Sequence, residues 1–257
     1  MRRLGAAALL VLALAACATP GAPKRTAADV DKDQKTVAGA IESADRDGAS
    51  FHLEETLVLS GQGQSATLKG QADGVVRDGR IRMQYRFLRS QNQSVTFDMV
   101  VTGTQIFTRP HGGGQWRWTP AAAAAALMPA VRLTLLRESV LLARNVGAGS
   151  ITIVNNGFAR RYRVAPDSDQ IEQLMAIAPV GSAEAVFLKT ARAELDAYLT
   201  LTGDKLTRLE AHLQGTDPAD GTTQKVDCSA DYRPAKVDPI QLPADAVQVQ
   251  PNQILGT

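Results

Sequence analysis

Residues 120–145 read PAAAAAALMPAVRLTLLRESVLLARN. The run is helical in composition and mostly apolar, whereas nearly everything on either side of it reads as short β-strands. On a wheel turning about 100° per residue, Val131, Leu135 and Leu142 fall on one side. Leu133, Leu136 and Val140 fall on nearly the opposite side. Arg132 and Ser139 mark one polar seam, Arg137 and Arg144 the other. A surface helix usually carries one apolar stripe, so two stripes call for two apolar neighbours. One can be a sheet; the second can be another helix or something that is not protein. Pro129 divides the stretch into an alanine-rich arm, 121–128, and a two-faced helix from Ala130.

Around this stretch the rhythm has period two. Residues 51–59 place Phe51, Leu53, Leu57 and Leu59 on one face. Runs at 66–77 and 80–88 follow, split by Asp78-Gly79, a strong hairpin signal. In the second run Ile81, Met83, Tyr85 and Phe87 alternate with Arg82, Gln84 and Arg86, giving one dry face and one wet face. Val95, Phe97, Met99 and Val101 continue the pattern, and short runs at 105–109 and 115–119 follow glycine turns. Beyond the helical stretch, 150–155 and 158–165 form a further hairpin through Asn156-Gly157. Asp167 or Ser168 can cap a helix over 168–178, where Ile171, Leu174, Met175 and Ala178 form one stripe. Three strands, 192–201, 206–214 and 223–232, close the chain as an antiparallel meander before a Pro-rich, extended tail. Near the N-terminus, Val30, Val37 and Ile41 give a weak helix over 27–44 that docks lightly. About ten strands bring an open sheet near the size at which it must curl. The expected fold class is therefore α+β: a large curved antiparallel sheet with helices on its concave side.

Arg2 and Arg3 precede an apolar run too short for a permanent membrane span, which ends in Leu14-Ala15-Ala16-Cys17. This resembles the bacterial lipobox, whose cysteine is lipidated; the alternative is an ordinary signal peptide that contains a cysteine. Cleavage before Cys17 removes two of the 28 basic residues and leaves 26 against 26 acidic ones. The mature charge is near zero, and nothing points to nucleic acid. Residues 18–25, ATPGAPKR, read as a tether. If Cys17 carries lipid, Cys228 has no disulfide partner and reads as a small buried hydrophobe beside Val226 and Ala230.

The three histidines, His52, His111 and His212, are far apart and lack neighbours at metal-ligand spacing. There is no nucleophile elbow and no phosphate-binding loop. Gly61-x-Gly63-x-x-Ala66 lies between two strands and reads as a turn. Glu54 and Glu55 point to opposite faces of one strand, which argues against a paired-carboxylate site; one can face inward near the sheet end, and a solvated rim is the reading favoured. The arginines at 77, 80, 82, 86 and 89 and at 160, 161 and 163 fit a solvated outer face or contact with anionic lipid headgroups.

These parts in this order resemble the LppX/LprAFG lipoprotein family of the wider LolA/LolB-like group. The specific pieces are Gly103-Thr104-Gln105-Ile106-Phe107 followed by Gly114-Gln115-Trp116, and the run 193–215, AELDAYLTLTGDKLTRLEAHLQG. Asp231-Tyr232 and Pro239-Ile240-Gln241-Leu242-Pro243 match the family's ending, whereas the alanine run 121–126 and the unpaired Cys228 do not belong to its pattern.

The resemblance implies a U-shaped half-barrel whose helices leave an apolar cavity for acyl chains. It implies a carrier of lipid or lipoglycan within the cell envelope, without catalysis, cofactor or metal. The layout expected is signal peptide 1–16, lipidated Cys17 and tether 17–26, one domain 27–249 and a tail 250–257. Candidate cavity residues are Leu127, Met128, Val131, Leu135, Leu142, Leu174, Met175, Phe97 and Met99, with Trp116 and Trp118 at the rim. The expected setting is an extracytoplasmic, membrane-anchored monomer whose partners are the membrane and a lipid. An envelope sensor on the same fold and a lipid-tethered structural domain with a packed interior are the alternatives.

Overall fold

A computed structural model describes residues 25–61, 63–88, 94–121, 137–138, 140–141, 145–166, 190 and 192–255. Cys17, the expected helix over 168–178 with Leu174 and Met175, and Leu127, Met128, Val131, Leu135 and Leu142 lie outside the described residues.

One helix, α1 (Ala27–Asp47), precedes the strands. They are β1 (Ala49–Gly61), β2 (Gln64–Arg77), β3 (Arg80–Leu88), β4 (Ser94–Val101), β5 (Gln105–Pro110) and β6 (Arg117–Pro120). Next come β7 (Ser150–Val154), β8 (Gly157–Val164), β9 (Arg192–Thr200), β10 (Leu206–Thr216), β11 (Thr223–Pro234) and β12 (Val247–Gln248). All twelve join in one sheet, in the order β12-β6-β5-β4-β3-β2-β1-β11-β10-β9-β8-β7. Neighbours are antiparallel except for β12, which runs parallel to β6. Two meanders thus meet where β1 pairs with β11. A twisted open sheet of this width curls, and the result is a curved half-barrel.

Turn chemistry sets the local register. Asp78 and Gly79 both have positive φ, 51° and 72°, as a two-residue hairpin turn requires. The β7–β8 turn is Asn155-Asn156, with φ of 50° and 62°. Gly157 opens β8 opposite Val154, so the turn lies one residue earlier than the sequence pattern placed it. Asparagine tolerates the left-handed region well enough to supply both positions.

α1 begins with a capping box between Thr26 and Asp29. Its docking is deeper than a thin stripe implies: Val37 and Ile41 are each 1 % exposed within the main core. Asp45 fastens its last turn, the Asp45 carbonyl accepting from the Asp78 N–H and its carboxylate from the Gly79 N–H.

The C-terminal tail is also part of the fold. Val237 and Ile240 bury against Val100 and Phe107 on the outer side of the sheet. Residues Val247–Gln248 then pair with β6, and Ile254 enters the main core at 1 % exposure. The Thr108 hydroxyl donates to the Ile254 carbonyl, and Arg117 donates to that of Gln253. The tail therefore passes around the β6 edge from one face to the other. Packing on the core thus continues past Val249 to Ile254 and Leu255, which no sequence period announces because isolated apolar residues in an irregular tail leave no periodic signal.

Candidate functional site

The inner face is built from alternate residues of β1–β5 and β8–β11, aligned in rows across the sheet. One row runs Phe97, Tyr85, Ala72, Leu53, Ala230, Leu209, Ala197, Tyr162. The next runs Val95, Phe87, Gly70, Glu55, Cys228, Ala211, Leu195, Val164. A third holds Leu68, Leu57, Val226 and Leu213. The first row is closed: it belongs to the core that also receives Val37 and Ile41 of α1. Toward the other end of the strands the cover thins. Leu57, Leu68, Phe87 and Leu213 are only half-buried, and Val95 is exposed.

Between the closed end and the thinly covered band lies Glu55, 6 % exposed on the apolar face. A buried carboxyl group is tolerable only when hydrogen-bonded, and the Tyr85 hydroxyl donates to Glu55 Oε1 at 2.9 Å. Gly70 makes this possible. A Cβ there would stand 1.9 Å from the Tyr85 oxygen and 2.8 Å from Glu55 Oε1. The solvated-rim expectation for this position is thus corrected. Its signal was present in the sequence, since Glu55 shares the parity of Phe51, Leu53 and Leu57. A second polar group on this face is the Tyr232 hydroxyl. Burial pushes its phenol pKa up, and it has no hydrogen-bond partner among the described residues.

The stretch 120–145 follows β6, near one edge of the sheet, and precedes β7, at the other. Its described residues show how it is held. Ala121 and Val140 are fully buried in the main core, and Leu141 packs against it. Arg137, from one polar seam of the wheel, pairs with Asp45 of α1 at 3.2 Å. Val140, from one apolar side of the wheel, is therefore in the protein core, and Arg137, from one seam, is spent on α1.

Of the cavity candidates on the sheet, Phe97 and Met99 lie on the inner face, 6 % and 1 % exposed, as members of the closed core. Trp116 and Trp118 do not join them. Trp118 stands opposite Phe107, which stands opposite Val100, and both tryptophans pack against the outer cluster beneath the tail. Arg109 lies over the Trp116 ring at 4.7 Å. Alternation on β6 separates them from Phe97 and Met99 by the thickness of the sheet. Cys228 is a buried thiol beside Glu55, in no disulfide, as its alternation with Val226 and Ala230 indicated.

The outer face is charged and self-paired. Each histidine meets an aspartate on a neighbouring strand or turn: His52–Asp73 at 2.8 Å, His111–Asp98 at 2.8 Å and His212–Asp227 at 2.7 Å. The His52–Asp73 hydrogen bond raises the His52 pKa against the opposing effect of burial. Burial pushes the Asp98 and Asp227 carboxyls up, but the bonds from His111 and Arg109 and from His212 and Lys225 outweigh it and hold both below the usual range. Asp196, itself buried, accepts from Arg161 at 2.5 Å. The Tyr198 hydroxyl donates to Glu210 at 2.6 Å; burial, ahead of that bond, raises its pKa. Arg77 and Arg80 are neither free nor turned to solvent. They donate to the carbonyls of Val237 and Ile240 and staple the tail to the sheet. Among the described residues no three His, Cys, Asp or Glu side chains are grouped to hold a metal ion.

No protein-family model matches the sequence, and no curated protein matches it. Several solved structures are similar in fold. The structure of LprF from Mycobacterium bovis is 11 % identical, the alignment covering 84 % of this chain and 98 % of that one, with a TM-score of 0.39. Lipoprotein LppX from Mycobacterium tuberculosis is 12 % identical over 84 % and 97 %, with a TM-score of 0.38. A LolA superfamily protein from Nitrosomonas europaea is 6 % identical over 83 % and 94 %, with a TM-score of 0.34.

Proposed function

We propose that this chain is an extracytoplasmic lipoprotein, anchored through Cys17, that binds the acyl chains of a lipid or lipoglycan on the inner face of its sheet and carries them within the envelope. It acts as a carrier and not as an enzyme. The observation that supports this most is the unequal cover of one continuous apolar face. The α1 end is packed solid, while Leu57, Leu68, Phe87, Val95 and Leu213 form a thinly covered band whose inner end is marked by the Tyr85–Glu55 pair. Ligand sites of this kind are mostly apolar with a few placed polar groups. The lipobox at 14–17 and the two-sided apolar stretch at 120–145 agree with it.

The packed-interior alternative fits the α1 end, where Phe97 and Met99 are core residues, so the acyl chains are assigned to the band beyond them. The test uses the full chain recovered from membranes. Organic extraction and mass spectrometry are expected to find a co-purifying acyl lipid. Leu57→Trp and Leu213→Trp are expected to cut uptake of a fluorescent fatty acid while leaving the melting temperature nearly unchanged. A chain without bound lipid, with both variants destabilised by overpacking of about 1–3 kcal/mol, overturns the reading.

A further inference from the structure

The β7–β8 hairpin exposes more apolar surface than any other part of the described sheet. Ile151, Ile153 and Phe158 are 70 %, 67 % and 68 % exposed. In the register of the hairpin Ile153 stands opposite Phe158, and Ile151 opposite Arg160. Opposed residues share a face, so the three apolar side chains form one patch with Arg160 at its border. The hairpin is not a loose edge. Ala159, on its other face, is buried, and the Asn155 side chain at its tip donates to Asp231 at 2.8 Å. A held hairpin that shows large apolar side chains to solvent marks an interaction surface.

We propose that this patch is a bilayer-docking surface: Ile151, Ile153 and Phe158 enter the interface of the membrane to which the chain is tethered. The inference rests on the anchoring of Cys17 in the proposed function. Two observations select a membrane as the occupant. The first is where the tether arrives. Arg25, directly before α1, donates to the Val146 carbonyl at 2.8 Å, and Val146 in turn bridges to Val164 of β8. From Val146 to Ile151 is five residues, about 16 Å of extended chain. From Cys17 to Arg25 is eight residues, at most about 29 Å. A bilayer holding Cys17 is therefore within reach of the hairpin. The second is charge. Arg160, on the same face as the patch, keeps its side chain 36 % exposed although paired with Asp204. An arginine bordering an apolar patch suits anionic headgroups around inserted side chains. A second copy adding a strand to the β7 edge would use backbone groups in the plane of the sheet, whereas this patch projects from its face.

Docking in this pose turns the hairpin edge of the half-barrel to the membrane. The test reconstitutes the full chain, recovered from membranes with its anchor, into vesicles of phosphatidylcholine and phosphatidylglycerol. A single environment-sensitive label is placed on Ile153→Cys, or, as a control, on Ala219→Cys in the β10–β11 turn at the other end of the strands. Cys228 is buried and an acylated Cys17 is blocked, so the new thiol takes the label. The label at 153 is expected to shift to the blue and to be quenched by lipids brominated high on the acyl chain, while that at 219 stays solvent-like. Solvent-like emission without quenching at 153, in protein whose acyl anchor is confirmed by intact mass, overturns the docking proposal alone. A blue shift at 153 that needs no vesicles and accompanies cross-linking between two copies overturns it too. Protein without an acyl group overturns the anchor instead. Added vesicles then decide the hairpin: quenching at 153 supports docking, and its absence overturns it.

Discussion

The two faces of this sheet are made by the same strands and obey opposite rules. On β9, Leu195, Ala197 and Leu199 enter the core, while Asp196 and Tyr198 between them join a chain of ion pairs and hydrogen bonds. The outer charges satisfy one another across neighbouring strands and need no cover, except where the tail lies on Val100 and Phe107. The inner face offers little polar pairing and must be covered by something apolar. Burying a large apolar side chain is worth about 1.5–3 kcal/mol, against about 0–1 kcal/mol for an exposed ion pair. Stability therefore comes chiefly from the inner face, and the band that its own helix covers thinly is where a ligand gains most.

That contrast can be broken by substitution. The largest effect is expected at the closed end: Leu53→Ala or Leu209→Ala, at positions with no exposure, should cost about 2–5 kcal/mol in urea unfolding. Next comes Gly70→Ala. Its methyl group would collide with the Tyr85 hydroxyl and separate it from Glu55, for a loss of about 1–3 kcal/mol and a lower melting temperature. Arg80→Ala, on the outer face, removes one bond to the Ile240 carbonyl and should cost about 1 kcal/mol while raising proteolysis of the tail.

The smallest effect belongs to the outer histidine pairs and shows its sign with pH. The His52 pKa in the folded chain lies above the ordinary 6.5 because of Asp73. Its contribution to stability is therefore full below 6.5 and lost as pH rises through the folded-state value. The depressed Asp98 and Asp227 carboxyls act in the other direction, contributing above the usual carboxylate range and losing that contribution as acid protonates them. The urea midpoint should decline slightly as pH rises through the histidine window, and Asp73→Asn should flatten that decline without altering the acid limb.

Much of the sheet was legible because period two is a local signal. The run 80–88 and its Asp78-Gly79 turn appear in the structure with the bounds the sequence shows. Glu55 was legible by parity and was misassigned by chemistry: its charge suggests solvent, but its phase along β1 puts it inward beside Gly70, where Tyr85 can reach it. The tail was hidden for a different reason. Val237, Ile240 and Ile254 bury one at a time in irregular chain, so no period announces them. Trp116 and Trp118 were expected at a cavity rim but pack in the outer cluster, because which face of the sheet is inner depends on partner strands.

The sequence by itself determined most of the alternating runs, the Asp78-Gly79 turn and the first helix, because each depends on residues within a few positions of one another. Tertiary structure alone decided that β1 pairs with β11, with Ala49 opposite Pro234. It alone set β6 and β7 toward opposite edges of the sheet. It turned Arg137 toward Asp45 and Val140 into the core. Those choices join segments far apart in the chain, and they are settled by which apolar faces can be buried together.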